Sequence, residues 1–475
     1  MIRMATPPTD TSLAGRKRIT YSRSVLESYP LLTHGDLEDC VARRNGDMFT
    51  VEEFLGSVRE LMSRLPNNGH AINLCNDRYH FLVAFAAALL SRHISLLPTC
   101  QAPKVLAQLK ERYPEAYILA EDEDIPSDIP RYRVTAHRAP SVNQRAKIPT
   151  IPSNQVAAIV FTSGSSGFPQ PHAKTWGSLV KGARSLKHQF GIGEAYSRVV
   201  VGTVPAQHMY GLESTIMLPL QSGWGIHARH PILPADIREV FEKMGHPAWL
   251  ITTPVHLRAY VGQRITLPGL EGIISATMPL ARSLARDAED LWNVPVREMY
   301  GCTEGGVIGS RVTTAAHAWT ICPGLRLWQE GDATWVSGGH VGQSLRLADR
   351  ITMQSQTQFI LHGPNYDLVK VGGKRTSLAA LNAVLVQIDG VIDGTFYWPH
   401  PGSSVTTRLT AFVVAPSVKA STILGELKKR VDPLFLPRPL HLVDELPRNL
   451  TGKLPRERLY VFATEIALRR KQQPR

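Results

Sequence analysis

Residues 161–169 have the composition best suited to binding a charged ligand. The run Phe161-Thr-Ser-Gly-Ser-Ser-Gly-Phe-Pro169 follows an apolar stretch and contains two glycines, four hydroxyl side chains and a proline. Such a loop presents many backbone N–H and hydroxyl donors, which suits a phosphate chain. A solvated Ser/Gly loop has the same composition, so the segment by itself leaves both interpretations open.

Two common catalytic motifs do not fit this region. A P-loop requires Gly before its Lys-[Ser/Thr] pair, but Lys174-Thr175 follows Ala173. A nucleophile elbow requires Gly two residues after its serine, and the residue two positions after Ser166 is Phe168. The segment is therefore neither a P-loop nor a hydrolase elbow.

The elements around this loop alternate between helix and strand. Apolar spacing predicts helices over residues 51–65 and 77–92 and strands over residues 70–75, 94–98, 156–161, 198–203, 248–252 and 272–274. This alternation is typical of an α/β fold with parallel, helix-covered sheets. The Pro-rich passage 125–154 is interpreted as a linker or long loop.

A domain boundary is predicted near residue 363. A strand over residues 358–361 runs into His362-Gly-Pro-Asn365, a cluster of turn-forming residues. We therefore expect a large N-terminal domain over residues 1–363 and a small C-terminal domain over residues 364–475. A chain of 475 residues is long enough for both.

Composition restricts the class of protein. Apolar residues make up 43% and charged residues 20%, which excludes a disordered chain. The net charge of +13 favours encounter with anionic partners, but no aromatic–basic platform accompanies it, so we expect no nucleic-acid partner. The five cysteines form no CxxC pair, which argues against zinc or disulfide frameworks and favours a cytoplasmic protein. The apolar run 81–90 is shorter than the roughly 20 residues of a membrane span, so we expect no transmembrane segment.

The loop at Thr162–Pro169 resembles the phosphate loop T-S-G-[S/T]-T-G-x-P-K of the adenylate-forming enzymes. That family includes acyl-CoA synthetases, aryl-acid ligases, luciferases and peptide-synthetase adenylation domains. Further segments match its other motifs in the family's order, namely 205–211 (P-x-x-H-x-x-G), 275–280 (the turn beside adenine), 300–304 (Y-G-x-T-E), 347–349 (the ribose-binding Asp), 369–375 (I-K-x-x-G-x-R) and 446–456 (L-P-x-T-x-x-G-K-x-x-R). The resemblance implies a large N-terminal domain of parallel, helix-covered sheets and a small, mobile α+β C-terminal domain.

The resemblance also implies roles for individual residues. Catalytic roles fall on Lys453, Thr303, Glu304 and His208, with Glu304 as the Mg²⁺ ligand. Nucleotide binding falls on Thr162, Ser163, Gly164, Ser165, Ser166, Gly167, Lys174, Thr277, Tyr300, Gly301 and Asp349. The residues expected to line the substrate pocket are His208, Tyr210, Ser214 and Met299. Those expected to line the thiol channel are Lys370, Gly372, Gly373 and Arg375.

These residue types suit one reaction. An aromatic ring such as Tyr300 stacks on adenine, a hydroxyl donates to a phosphate, and a carboxylate holds Mg²⁺. The resemblance implies that a carboxylic acid attacks ATP to give an acyl-adenylate and pyrophosphate, and that a pantetheine thiol then takes the acyl group after the small domain rotates. A degenerate homologue that binds nucleotide or acyl groups without turnover is the alternative of another class.

A narrower resemblance concerns the substrate and the acceptor. Segments 73–81, 171–176 and 374–378 resemble the ligases of aryl-polyene pigment pathways, which implies a hydroxybenzoate-type acid and an acyl carrier protein. Tyr210 and Ser214 would supply hydroxyls at the polar end of the acid pocket. The basic runs 428–430 and 469–471 could attract an acidic carrier protein. A fatty or aryl acyl-CoA synthetase that uses free CoA is the alternative.

Two positions depart from the family pattern. Gln170 stands where the phosphate loop has Lys, and Lys174 is either its replacement or a surface lysine. Gly363-Pro364-Asn365-Tyr366 stands where the hinge reads G-R-x-D, so the ribose-binding Arg is absent. Arg350 is the candidate to replace that Arg.

Overall fold

The computed structural model describes most of the chain. The described residues are 27–44, 46–98, 100–121, 128–135, 147–162, 170–193, 198–331, 333–364, 368–371, 374–398, 409–449 and 452–472. Among them, no helix combines the length and the apolar character needed to span a bilayer.

The strands are numbered along the chain. They are β1 (Ser28–Pro30), β2 (Cys40–Arg44), β3 (Asp47–Thr50), β4 (His70–Asn73), β5 (Ile94–Leu97), β6 (Ala116–Ala120), β7 (Arg131–Arg133), β8 (Thr150–Pro152), β9 (Val156–Thr162), β10 (Gln170–Thr175), β11 (Val199–Gly202), β12 (Gly225–His227), β13 (Ala248–Thr252), β14 (Leu270–Ser275), β15 (Val296–Cys302), β16 (Gly306–Val312), β17 (Trp319–Ile321), β18 (Leu325–Glu330), β19 (Ala333–Gly338), β20 (Gly342–Leu347), β21 (Asp349–Met353), β22 (Gln358–Pro364), β23 (Leu368–Val371), β24 (Lys374–Ser377), β25 (Asp393–Tyr397), β26 (Thr410–Val414) and β27 (Leu440–Leu442).

The helices lie between these strands. They are α1 (Val51–Arg64), α2 (Arg78–Leu90), α3 (Pro103–Arg112), α4 (Trp176–Gln189), α5 (Met209–Gly211), α6 (Leu218–Leu220), α7 (Pro234–Met244), α8 (Pro254–Gly262), α9 (Arg282–Trp292), α10 (Leu378–Leu385), α11 (Ala420–Arg430) and α12 (Arg456–Gln472). A π-helical turn, Leu212–Met217, joins α5 to α6, and a short 3₁₀ turn covers Pro433–Phe435.

Two large sheets organise the first 364 residues. In the described part of the chain, one sheet has six strands in the order β10-β9-β5-β4-β6-β7 and the other has 11 in the order β21-β22-β17-β16-β15-β14-β13-β11-β12-β2-β3. Strands β12, β11, β13, β14 and β15 are mutually parallel neighbours. Helix α2 is buried between the two sheets. Its sequence is apolar on all sides, as expected of a fully buried helix.

Local sequence determines where the first helices begin. The Thr50 hydroxyl accepts from Glu53 N at 3.2 Å while Glu53 Oε2 accepts from Thr50 N at 2.9 Å, a complete capping box for α1. Asp77 caps α2 by accepting from His80 N at 3.1 Å. Both predicted helices are confirmed, with ends within a few residues of the expected ones.

Two sequence-based expectations were wrong. The passage 125–154 contains β7, which pairs with β6, and β8, which pairs with β1. The turn-forming cluster after residue 361 continues β22 as far as Pro364, which lies opposite Asp349 of β21. Proline is tolerated there because a strand end needs no further ladder donor. Pairing with neighbouring strands outweighed local turn preference in both places.

The C-terminal region forms separate, smaller sheets. Strand β23 pairs with β24, while β25, β26 and β27 form a three-stranded sheet. Helices α10 and α11 bury Leu381, Leu385, Ile423 and Leu427 against that sheet. The change of sheet after Pro364 agrees with a boundary near residue 363, which stays a prediction, as does the mobility of the small domain.

Candidate active site

The predicted motifs meet at one edge of the 11-stranded sheet. Residues 203–211 follow β11, Thr253 follows β13, residues 276–280 follow β14, and residues 300–304 end β15. Because these strands are parallel neighbours, their carboxyl ends share one edge. Ligands of open α/β sheets bind at that edge, so the fold gathers segments that are far apart in sequence into one candidate site.

The turn that carries His208 is held by close backbone packing. A Cβ on Gly211 would lie 1.9 Å from the Pro205 carbonyl oxygen, so only glycine allows this approach. Buried Arg78 donates from Nη2 to the Val204 carbonyl at 2.6 Å, and Gln207 Nε2 donates to the Cys75 carbonyl at 2.7 Å. These contacts give His208 a fixed position at the edge of the sheet.

His208 is a neutral imidazole near Lys453 of the C-terminal region. Burial, with a smaller contribution from the nearby Lys453 ammonium, lowers the pKa of His208 to about 4. Burial raises the pKa of Asp349, and the Lys453 ammonium acts in the opposite direction by lowering it. Lys453, from the C-terminal region, thus lies close enough to residues of two separate motifs to affect their pKa values.

A hydrogen-bonded loop holds Lys453 in place. Lys453 N donates to Asn449 Oδ1 at 2.8 Å, and Arg448 Nη1 donates to the Gly452 carbonyl at 2.9 Å. The Arg448 guanidinium also binds Asp393 in two bonds of 2.6 and 2.7 Å. A Cβ on Gly452 would lie 3.2 Å from Met278 Sδ, so the loop packs against the predicted adenine-flanking turn.

Residues 275–280 contain a strained backbone position. Thr277 has a φ of +78°, a left-handed conformation that β-branched residues rarely adopt. Such strain persists where the surrounding structure fixes it, commonly at functional sites. The strained residue is the one for which the sequence predicted a nucleotide-binding role.

Tyr300 and Asp349 lie in contact. The Tyr300 hydroxyl donates to Asp349 Oδ2 at 2.8 Å, and the Tyr300 ring packs at 5.8 Å against both Trp319 and Phe359. Burial raises the pKa of Tyr300, and the nearby Asp349 carboxylate adds to that effect. The predicted adenine and ribose residues therefore form one unit.

The turn 302–306 presents Thr303 and Glu304 at the end of a tight hairpin. A Cβ on Gly301 would lie 2.4 Å from the Gly306 carbonyl oxygen, which explains the glycine of the motif. Glu304 is 41% exposed, with Oε1 lying 3.6 Å from His172 Nε2. The same His172 nitrogen lies 3.2 Å from Thr162 Oγ1 at the start of the predicted phosphate loop. His172 therefore connects the two segments expected to bind phosphates.

Lys174 lies beneath this turn. Its side chain is 6% exposed, and Nζ donates to the Glu304 carbonyl oxygen at 2.6 Å. Burial lowers the pKa of Lys174, and among the groups that raise it the Glu213 carboxylate has the largest effect. Lys174 is therefore not the surface lysine that one interpretation expected. Its contact is with the Glu304 backbone.

The hydroxyl hydrogens of Tyr210 and Ser214 are donated to backbone carbonyls. The buried Tyr210 hydroxyl lies 3.0 Å from both the Thr252 and Ile274 carbonyl oxygens, and Ser214 Oγ donates to the Tyr210 carbonyl. Met299 is buried in the same apolar cluster as Tyr210. Both hydroxyls therefore donate to backbone carbonyls and retain only acceptor capacity, and the pocket built from His208, Tyr210, Ser214 and Met299 stays a prediction.

Seven predicted site residues lie outside the described part of the chain. Ser163, Gly164, Ser165, Ser166 and Gly167 of the phosphate loop lie outside the described residues, as do Gly372 and Gly373 of the predicted thiol channel. The backbones of Lys370 and Arg375 pair directly across β23 and β24. Arg350 is exposed on β21. The pKa of nearby His362 is lowered mainly by burial and further by the charge of Arg350.

Sequence reasoning missed three residues that hold the site together. They are Glu213, His172 and Arg448. Each lies within or beside a recognised motif, so proximity to a motif was the available signal. Their partners Val307, Glu304 and Asp393 are distant in sequence, and no local pattern revealed these contacts.

An α/β fold with these motifs at the carboxyl edge of its sheet defines an adenylate-forming enzyme. The AMP-binding enzyme family matches residues 69–350. The chain belongs to this family, and the prediction of an enzyme of this class is confirmed.

Relatives with assigned names are CoA ligases. A 4-coumarate–CoA ligase of Rhodobacter capsulatus is 33% identical over 245 residues, covering 50% of this chain and 60% of that enzyme. A 4-coumarate–CoA ligase of Halorhodospira halophila is 28% identical over 319 residues, covering 64% of this chain and 76% of that enzyme.

Solved structures confirm the predicted fold class. The Bacillus subtilis o-succinylbenzoate CoA synthetase, in complex with its acyl-adenylate, has a TM-score of 0.77 at 17% identity, covering 91% of this chain and 98% of that chain. An anthranilate CoA ligase in complex with anthranoyl-AMP has a TM-score of 0.75 at 14% identity, covering 93% of this chain and 99% of that chain. At these identities the likeness establishes the fold alone.

Proposed function

We propose that this chain activates a carboxylic acid with ATP and passes the acyl group to a pantetheine thiol. The observation that carries the proposal is the convergence of Lys453 with His208 and Asp349, because Lys453 comes from a loop of the C-terminal region and its neighbours follow or begin strands of the large sheet. Family membership and the CoA-ligase names of the relatives support the same activity.

The residues suit an in-line displacement at the α-phosphate. Tyr300 and Asp349 provide a ring and a carboxylate for adenine and ribose, while Thr303 provides a hydroxyl for the α-phosphate. Lys453 brings a positive charge to the place where the attacking carboxylate meets that phosphate. The enzyme then works mainly by positioning two anions that repel each other in solution.

The residues present fit one magnesium ion bound together with the nucleotide. No group of three or more His, Cys, Asp or Glu side chains in the described part of the chain could hold a metal alone. Mg²⁺ at phosphates requires only one or two protein carboxylates, and half-exposed Glu304 supplies one. When bound, the ion neutralises negative charge on the phosphates.

For the thiol acceptor, we place free CoA ahead of a carrier protein. Lys429 Nζ and Arg430 Nη2 lie 2.7 and 3.3 Å from the Glu426 carboxylate, so part of the basic run 428–430 is already neutralised. The relatives are also named CoA ligases. Thioester formation measured with CoA and with carrier protein at several salt concentrations tests this order. A faster, salt-sensitive reaction with carrier protein would reverse it.

For the acid, we propose an aryl acid of the hydroxybenzoate type. The support is the resemblance to aryl-polyene ligases and the name 4-coumarate–CoA ligase of two relatives. The Tyr210 and Ser214 hydroxyls donate to backbone carbonyls, so toward a ring hydroxyl their oxygens act as acceptors only.

The decisive experiment is acid-dependent ATP–pyrophosphate exchange. Purified protein with Mg²⁺ is tested against hydroxybenzoates, 4-coumarate, anthranilate and octanoate. We expect exchange with at least one aryl acid and little with octanoate. Preference for octanoate would replace the aryl acid with a fatty acid, and binding of ATP without exchange for any acid would favour the non-catalytic homologue.

A further inference from the structure

The turn that carries Glu304 closes the β15–β16 hairpin, and its own side chains add one weak bond, from Gly305 N to Cys302 Sγ at 3.3 Å. Glu304 is followed by Gly305 and Gly306, and Gly306 has a φ of +76°. Two consecutive glycines allow many backbone conformations, so an isolated turn of this sequence would not hold the Glu304 carboxylate in one position. The structure places buried side chains from three other elements against the backbone of the turn.

The first of these side chains is Lys174, from β10. Its ammonium donates to the Glu304 carbonyl oxygen at 2.6 Å, although 130 residues separate the two in sequence. The lysine is 6% exposed and faces away from bulk water. A buried ammonium needs such partners because desolvation penalises its charge.

The second is Glu213, from the π-helical turn. Its side chain is 2% exposed, and Oε1 accepts from Val307 N at 3.1 Å. A Cβ on Gly306 would lie 2.5 Å from the same oxygen, so the carboxylate packs directly on the backbone of the turn. Lys174 and Glu213 also attract each other, as their mutual effects on pKa show.

The third is His340, from the turn between β19 and β20. Its Nε2 lies 2.6 Å from the Val307 carbonyl oxygen. A carbonyl only accepts, so Nε2 carries the proton and donates it. Three buried groups therefore bind the Glu304 carbonyl, the Val307 amide and the Val307 carbonyl, on both sides of the two glycines.

We propose that Lys174, Glu213 and His340 are positioning residues that fix the Thr303–Glu304 turn, and that Lys174 acts through Glu304 and not by binding phosphates itself. The inference rests on the proposed function, in which Glu304 holds Mg²⁺ at the phosphates. It also assigns a role to the lysine that follows the departure at Gln170. Because Glu213 lies on the helix after His208, the same group connects the acid side of the site to the phosphate side.

The test compares Lys174→Met with Lys174→Arg and with Lys181→Met. Methionine keeps the apolar stem and removes the donor, arginine keeps a charged donor, and Lys181 is an exposed lysine of α4 paired with Glu27 at 3.2 Å. We expect Lys174→Met to lower kcat of the exchange about 10- to 100-fold, as a misplaced catalytic group does. The Mg²⁺ concentration for half-maximal rate should rise several-fold while KM for the acid stays within about twofold.

Arginine should restore part of the loss, and Lys181→Met should behave like the unaltered protein. A second variant, Glu213→Gln, keeps an acceptor for the Val307 amide and removes the charge that faces Lys174. If the two groups act as one unit, the double variant Lys174→Met/Glu213→Gln should lose little more than Lys174→Met alone. Unchanged kcat and unchanged Mg²⁺ dependence in folded Lys174→Met would overturn the proposal.

A binding measurement keeps this test separate from the test of the proposed function. Calorimetric titration with ATP and Mg²⁺ needs no turnover, and we expect Lys174→Met to bind several-fold more weakly only when Mg²⁺ is present. If the unaltered protein binds Mg²⁺ and ATP but shows no exchange, the proposed function fails while the positioning role is still measured. Equal Mg²⁺-dependent binding by the unaltered and Lys174→Met proteins contradicts the positioning role, whatever the exchange assay gives.

Discussion

The Tyr300 hydroxyl donates a 2.8 Å hydrogen bond to Asp349, joining the end of β15 to the start of β21. The two residues are 49 positions apart and belong to separate motifs. Asp349 is half-buried, so the phenol provides a partner for a carboxylate that has lost part of its water. The surfaces proposed for adenine and ribose are thereby fixed relative to each other.

Removing this bond should weaken nucleotide binding. In Tyr300→Phe the ring still packs against Trp319 and Phe359, but Asp349 loses its donor. A bond to a charged group contributes about 1.5–3 kcal/mol, so we expect KM for ATP to rise roughly tenfold or more. KM for the acid should not change, and exchange kinetics measure both. An unchanged KM for ATP would show that the bond does not organise the nucleotide site.

Lys453 should matter for one half of the reaction. Its ammonium lies near His208 and Asp349, where the carboxylate and the α-phosphate would meet. We expect Lys453→Ala to lower acyl-adenylate formation by about 100-fold or more, the loss typical of a preorganised charge. Thioester formation from a supplied acyl-adenylate should be spared. Equal losses in both halves would contradict a lysine that serves only the first.

The Arg448–Asp393 ion pair should support the Lys453 loop. Arg448 joins Asp393 to the Gly452 carbonyl, and the pair is largely shielded from solvent. We expect Arg448→Met to reduce adenylate formation about tenfold while unfolding of the chain changes little. Glu426→Gln, which breaks exposed ion pairs on α11, is the control. The same loss in both variants would mean that the Arg448 pair has no specific effect on the loop.

Gly211 should tolerate no side chain. A Cβ there would lie 1.9 Å from the Pro205 carbonyl oxygen, so Gly211→Ala must displace the turn that carries His208. We expect a lower melting temperature and exchange activity reduced by more than tenfold. Gly262→Ala is the matched control, because a Cβ at Gly262 meets nothing within 4 Å. A Gly211→Ala protein as stable and active as Gly262→Ala would show that the close approach is not required.

Stability should fall in mild acid partly because of His227. Burial lowers the pKa of His227 to about 4, below its ordinary value of 6.5. Between these values the unfolded chain binds a proton that the folded chain does not, so the free energy of unfolding decreases as pH falls from 6.5 to 4. Glu213, with a pKa raised to about 7 by burial, has the opposite slope between pH 4.5 and 7.

The variant His227→Asn separates the effect of His227 on stability from the opposite effect of Glu213. Denaturant unfolding measures the free energy of unfolding at pH 7 and at pH 5. The decrease between the two pH values should be about 1–2 kcal/mol smaller in the variant than in the unaltered protein. The comparison uses the difference between two pH values, so a constant loss from the substitution cancels. Equal losses in both proteins would place the pH dependence elsewhere.

The sequence by itself determined the apolar strands at the centre of the two large sheets, and it named the chemical groups of the candidate site. Apolar runs such as 156–161 and 248–252 form strands because they are buried in a sheet, and this character is local. The motif residues Tyr300, Thr303 and Glu304 are adjacent in sequence, and the parallel strands bring them to the sheet edge. Type and order were sufficient for these predictions.

Only the tertiary structure decided what several of these side chains contact. Lys174 binds a carbonyl 130 residues away, and Glu213 binds an amide 94 residues away. Tyr210 and Ser214 have the hydroxyls expected of a polar pocket, but backbone carbonyls accept from both. A hydrogen bond depends on distance in space, and a buried polar group takes whichever partner the packing brings near. The sequence therefore names the groups at this site, and the fold selects their partners.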